Sequence, residues 1–428
     1  MTALTLLLEP RRSPDVLAAK LWLPGGSSLD PLGQRGAHQL LASVMSRGCG
    51  PLDHLALADL VEGRGAGLRC EAHEDGLLIS LRCASGDAAD LMPLLAWMVM
   101  DPHLKPDQVM LERNLSVQAL QRQREDPSQV AFDGWRQLVY GDHGYGHDPL
   151  GLADDLVRLD ATQLRPLSQL TRRMPATLAI AGVWPAGLEQ GIASWPGFRD
   201  WSHHHEPPSD EQPSDEQPSA ASQSVAHHGV TAYSQPTETE QVVLMLGQAT
   251  LPHGHPDDLA LRLLRCHLGM GMSSLLFRRL REEHGVAYDV GLHHPDRRGN
   301  SPFVMHASTG ADRAALTLEL LAESWWELAS SPLSQEDLNL ARAKFRGQMA
   351  HARQTSAQLA ERRVVLRGLG LPDDHDQRCL ERLGELDGAE LQRVAATRLN
   401  QPRLSLCGPA STLADLERQW QSHQGESA

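Results

Sequence analysis

GMGMSSLLFRRLREEHGVAYDV, residues 269–290, is the stretch from which the rest of the chain can be read. Gly269 and Gly271 allow a tight turn, Ser273 or Ser274 can cap a helix, and Leu275, Leu276 and Leu280 give that helix an apolar face. Gly285 then ends it. Val286 to Val290 reads as an alternating strand, which brings Arg281 near the helix end and Tyr288 on the strand to one surface. An arginine offers a rigid fork of donors and a tyrosine a ring with a polar tip, a combination suited to gripping the carbonyls of an extended peptide. Residue types alone favour a helix-turn-strand corner with a solvated arginine and a half-buried tyrosine.

The surrounding chain has 428 residues, 41% of them hydrophobic, enough for two or more domains with ample cores. A net charge of -15 disfavours nucleic acid and anionic membranes as partners. No apolar run approaches a membrane span, and the opening MTALTLLLEPRRSPD places Arg11 and Arg12 after its apolar run, which reads as a strand and not a signal peptide. Six cysteines without C-x-x-C spacing argue for a reducing compartment, so the expected location is the cytoplasm.

Residues 202–229 are rich in Pro, Ser and acids and repeat SDEQP in tandem, a composition that reads as a linker; its terminal histidines, His203 to His205 and His227 with His228, belong to the same solvated segment. Beyond it the chain starts again. PHLKPDQVMLER at 102–113 parallels SPLSQEDLNLAR at 331–342, and RLDATQL at 158–164 parallels ELDGAEL at 385–391. Leu111 and Leu340 are 229 positions apart and Leu164 and Leu391 227, so the expected organisation is two copies of one α+β domain, 1–201 and 230–428, joined by 202–229.

In the first copy, strands are expected over 3–8, 16–23, 77–82 and 177–183. Helices are expected from about 33 to 48, over 88–100, 106–124 and 128–140, with two short ones before 170, all on one face of a sheet. The second copy reads as strands at 241–248 and 302–308 and helices at 257–268 and 312–329. Two long helices reach about 368, and a closing helix, strand and helix follow.

In this setting 269–290 resembles the C-terminal half-site of the pitrilysin/insulinase-type (M16) zinc peptidases, where a GMSSRLF...R...G.AY segment supplies an Arg/Tyr pair. The resemblance implies two homologous α+β domains, each a mixed, mainly antiparallel sheet covered by helices, with Arg281 and Tyr288 as the substrate-orienting pair. It also implies a zinc helix carrying H-x-x-E-H, two ligands and a general base. Here those five positions read His38, Gln39, Leu40, Leu41 and Ala42, so the base falls on Leu41 and the second ligand on Ala42. The family's later Glu ligand falls on Arg113 in VMLER, or on Glu112 in a register shifted by one. A catalytic zinc takes about three protein ligands, so this chain is expected to hold no family-type zinc and His38 to be a helix histidine with an ordinary hydrogen bond. His143 and His147, in a Gly-rich loop, and His73, in a turn, lack metal spacing.

The resemblance therefore points to an M16B-like non-catalytic subunit, zinc being expected in a partner chain that completes a peptide-binding chamber. A scaffold of the same fold without proteolytic role, or a peptidase with relocated ligands, are the alternatives.

Overall fold

Two strands, VLAAKLWLP and QVVLMLGQA, are apolar along nearly their whole length, so each must be covered on both faces. The computed structural model describes residues 3–12, 15–195, 197–204 and 230–426. Its strands are β1 Ala3–Pro10, β2 Val16–Pro24, β3 Gly48–Cys49, β4 Leu52–Asp53, β5 Gly67–Ala72, β6 Gly76–Ala84, β7 Ala176–Gly182 and β8 Ser202–His204. They continue with β9 Ala232–Pro236, β10 Gln241–Ala249, β11 Asp289–His293, β12 Pro302–Gly310 and β13 Arg403–Gly408.

Of the two large sheets one runs β5-β6-β2-β7-β1-β8 and the other β11-β12-β10-β13-β9, while β3 and β4 pair with each other in a two-stranded sheet of their own. In the first, β7, β1 and β8 pair in parallel and the rest antiparallel; in the second only β13 and β9 are parallel. Strip β8 from the edge and the two sheets are the same sheet, strand for strand. The duplication legible in two short segments thus extends over the whole topology.

Covering both faces requires more than the helices on one side that the sequence suggests. Leu17, Ala19, Leu21 and Leu23 of β2 enter the large core beneath the first sheet, with Leu40, Leu41 and Leu95 from the helices below. Trp22, on the opposite face, packs with Leu78, Ala179 and Ala181 against Ala360 and Val364 of helix Ser356–Gly368, and Lys20 reaches Glu361 of that helix at 2.7 Å. The second sheet repeats the arrangement. Val242, Leu244 and Leu246 of β10 face the core, while Val243 and Met245 meet Ala131, Trp135 and Val139 of helix Pro127–Tyr140. Alternation along each strand sends half its apolar residues to each face.

Each covering helix comes from the other half of the sequence. One compact unit accordingly holds the chain up to Leu120, the segment from Asp148 to β8, and Ala350–His375; the other holds Gln121–His147, the segment from β9 to Met349, and the chain from Asp376 on. These units cut across a division at 202–229. Of that stretch, Ser202–His204 forms edge strand β8, paired to β1, and 205–229 lie outside the described residues. Helices His54–Gly63 and Leu188–Ser194 and strands β5 and β9 were not anticipated, and two helices, His375–Arg382 and Gly388–Arg398, precede β13 where one was expected. No described helix is long and apolar enough to cross a membrane.

Candidate functional site

Gly269 is required by close approach: an added Cβ would lie 2.7 Å from the Leu292 nitrogen. Gly271 takes a positive φ of 76°. The helix that follows turns π-helical over Phe277–Glu283, with the His284 N–H donating to the Arg279 carbonyl at 3.3 Å, five residues back. Ser274 lends the helix its backbone carbonyl, which accepts from the Arg278 N–H at 3.0 Å. Leu276 and Leu280 are fully buried. Gly285, at φ 61°, ends the helix, and the N–H groups of Val286 and Ala287 fold back onto the Leu280 carbonyl at 2.8 and 3.4 Å. That backward bonding delays the strand, which begins at Asp289 and not at Val286.

Arg281 and Tyr288 do come together. The Arg281 Nη1 donates to the Tyr288 carbonyl at 3.2 Å, and the guanidinium carbon stands 5.0 Å from the centroid of the Phe277 ring. Tyr288 is 83% exposed, so the half-buried tyrosine of the sequence reading is corrected. Its N–H pairs with the Ser308 carbonyl at 3.1 Å, which anchors the backbone on β12 while the ring projects from the surface. Phe277 was missed as a member of this group. Its place four residues before Arg281 is the sequence signal that could have found it.

In the other unit, helix Ala37–Met45 carries the degenerate positions. His38 is buried, and its Nδ1 lies 2.7 Å from Asp30 Oδ1. Asp30 also accepts from the N–H groups of Gly36 at 2.7 Å and His38 at 3.0 Å, so it caps the helix from six residues upstream. Leu41 and Ala42 are 0% exposed and belong to the apolar core. Glu112 is buried on helix Pro106–Gln123 and takes a hydrogen bond of 2.5 Å from Arg47 Nε. Arg113, beside it, donates from Nη1 to the carbonyls of Val157 at 3.4 Å and Leu159 at 3.1 Å.

Arg113 has a counterpart. Arg342, 229 positions on, donates from Nη2 to the carbonyls of Gly384 at 3.5 Å and Leu386 at 2.8 Å. Leu159 and Leu386 each precede the aspartate, Asp160 or Asp387, whose side chain caps the next helix. Both arginines therefore clamp the same turn in the two copies. Glu112 and Ser116, by contrast, are buried where the second copy has Ala341 and Phe345, so the first copy keeps a polar interior that the second lacks.

The loop histidines are structural. The His143 N–H donates to the Tyr140 carbonyl at 3.1 Å and its own carbonyl accepts from Gly146 at 2.8 Å, closing a turn; His147 is buried. His73 shares a backbone bond of 2.8 Å with Gly76, and its ring lies 5.9 Å from Trp22. Among the described residues no three His, Cys, Asp or Glu side chains stand together as metal donors.

Residues 177–345 match the family model described as the peptidase M16 inactive domain. YmxG of Bacillus subtilis, named an uncharacterized zinc protease, is 20% identical over 345 residues, 80% of this chain and 81% of its own length. These matches make the chain similar to the M16 peptidase family. A second relative, an uncharacterized zinc protease of Mycobacterium leprae, is 20% identical over 76% of this chain and 72% of its own. Among solved structures, a peptidase M16 inactive domain from Pseudomonas fluorescens superposes with a TM-score of 0.80 at 21% identity, covering 95% of this chain and 96% of that one. A protease from Helicobacter pylori gives 0.80 at 18% identity, covering 94% and 97%.

An M16 zinc does not fit this chain. Two of the positions that would furnish a ligand and the base are aliphatic and sealed in the core, the third is a cation holding carbonyls, and the buried carboxylate next to it is already neutralised by Arg47. His38, its Nδ1 on Asp30, is the one zinc-type donor left of the H-x-x-E-H set.

Proposed function

We propose that this M16 chain is the zinc-less subunit of a two-chain peptidase. Arg281 and Tyr288 line the partner's active centre, and the chain supplies half of a chamber that takes peptides or unfolded segments. The observation that carries this reading is the state of Arg281. It is exposed, fixed to the Tyr288 carbonyl, and meets no carboxylate at ion-pair distance among the described residues, while the zinc positions of the same chain are filled with aliphatic side chains.

An uncancelled guanidinium beside a projecting phenol suits the oxygen of a peptide carbonyl, which gains negative charge as it is attacked. Zinc held by the partner supplies the Lewis acid and activated water in this reading. A scaffold has no chemical use for such a pair. A relocated zinc site finds no donor set among the described residues.

Co-expression with an M16 chain bearing an intact H-x-x-E-H, followed by size exclusion and a quenched-peptide assay, tests the reading. The complex is expected to hydrolyse the peptide and the isolated chain not. Arg281→Ala is expected to lower kcat/KM by about 100-fold, the scale for losing one donor to a developing oxyanion, and Tyr288→Phe by less. Equal cleavage by the partner alone, or failure of the two chains to associate, hands the protein to the scaffold reading.

A further inference from the structure

Three arginines crowd the π turn, and two of them are neutralised: Arg278 lies 3.6 Å from Asp337 and Arg279 2.7 Å from Glu327. Arg281 is held differently. Its guanidinium carbon stands 5.0 Å from the Phe277 ring centroid, and its one hydrogen bond among the described residues is the 3.2 Å contact from Nη1 to the Tyr288 carbonyl. Within about 6 Å an aromatic ring attracts a guanidinium through its quadrupole. Such a ring covers the face of the ion and leaves its in-plane N–H donors unspent, whereas a carboxylate takes two donors at once and cancels the charge.

Competition for this cation is close at hand. Glu282 and Glu283 are exposed on the same turn, and an Arg281 released from its ring can swing toward either. An aliphatic side chain at 277 would fill space without attracting the charge. The π register matters too, because it places Arg281 against the Tyr288 carbonyl while Phe277, four residues back, still lies alongside.

We propose that Phe277 is the positioning residue of this site, holding the Arg281 guanidinium on Tyr288 with its charge uncancelled and its Nε and Nη2 donors free for the oxygen atoms of a bound peptide. The proposal rests on the subunit reading above for its purpose, but the contact itself belongs to the isolated chain.

Two measurements separate the one from the other. In the isolated chain, labelled with 15N-arginine, the Nε–Hε signal of Arg281, assigned through Arg281→Lys, is expected upfield of the other exposed arginines because of the ring beside it. Phe277→Leu should return it to the ordinary position, and Phe277→Tyr should leave it in place. A signal indifferent to the loss of the ring, or not restored by tyrosine, overturns the proposal.

In the complex with the zinc-bearing subunit, using the same quenched peptide, Phe277→Leu is expected to cost about 3- to 10-fold in kcat/KM, chiefly in kcat, with recovery in Phe277→Tyr. Loss of activity in Arg281→Ala with full activity in Phe277→Leu overturns the positioning role and spares the subunit reading. Silence of both variants overturns the subunit reading, and the positioning role with it.

Discussion

Arg113, the position at which the resemblance leads one to expect an acid, performs the task of Arg342 in the other copy, holding the turn that leads to a capped helix. The residue is therefore not idle, whatever the family pattern holds at that position. Hydrogen bonds to a charged donor are worth about 1.5–3 kcal/mol when buried, and less at partial exposure. Arg113→Ala and Arg342→Ala are each expected to cost about 1–2 kcal/mol in urea unfolding. Arg113→Glu, which restores the family's acid, should destabilise the chain similarly and retain no stoichiometric zinc after dialysis; tight zinc in that variant would mean the position still belongs to a metal site. None of this was legible in the sequence, which shows an arginine but not the carbonyls it holds. Asp30 was hidden for the same reason, since a cap six residues upstream of the helix lies outside local capping patterns.

At the scale of elements, periodicity located most helices and strands within two or three residues, because burial on a defined face imposes a period of 3.6 or 2. It failed where the backbone departs from those periods. The π turn of Phe277–Glu283 and the late start of β11 follow from bonds back to the Arg279 and Leu280 carbonyls, which no side-chain pattern announces. The two covering helices carry a sharper signature. A Cβ on Gly134 would fall 2.3 Å from a Tyr233 ring carbon, and one on Gly368 2.2 Å from Trp22 Nε1, so each helix lies against its sheet through a glycine under an aromatic ring. Gly134→Ala and Gly368→Ala are expected to lose about 1–3 kcal/mol by overpacking, despite the better helix propensity of alanine. Gly347 has open space, and Gly347→Ala should be neutral or stabilising by up to about 1 kcal/mol. Thermal unfolding of the three variants side by side checks the contrast.

For the whole molecule, acid should act on the unit that holds the second sheet. Burial there depresses the pKa of His253, His267 and His306 below the usual 6.5, reinforced at His253 and His267 by nearby arginines and opposed by aspartates. Burial would raise Asp258, but the Arg262 charge and hydrogen bonds from His253 and His294 outweigh it and hold the carboxyl well below the usual range, so it stays ionised. Below pH 6.5 these histidines take up protons more readily in the unfolded chain than in the folded one. Their contribution to stability is thus complete above pH 6.5 and is lost as the pH falls toward their folded values. A thermal midpoint lower at pH 5.5 than at 7.5 is expected, and an unchanged midpoint would contradict it.

The sequence by itself determined that the chain is a duplicated α+β fold, that H-x-x-E-H is absent where His38 stands, and that an arginine and a tyrosine lie close enough to meet. Those are matters of residue identity, spacing and local bonding. Only the tertiary structure decided that each sheet borrows a helix from the opposite half, that Arg113 clamps a turn, and that the Phe277 ring lies against Arg281. Apolar burial has no direction, so a sequence shows that a face must be covered without showing which distant segment covers it.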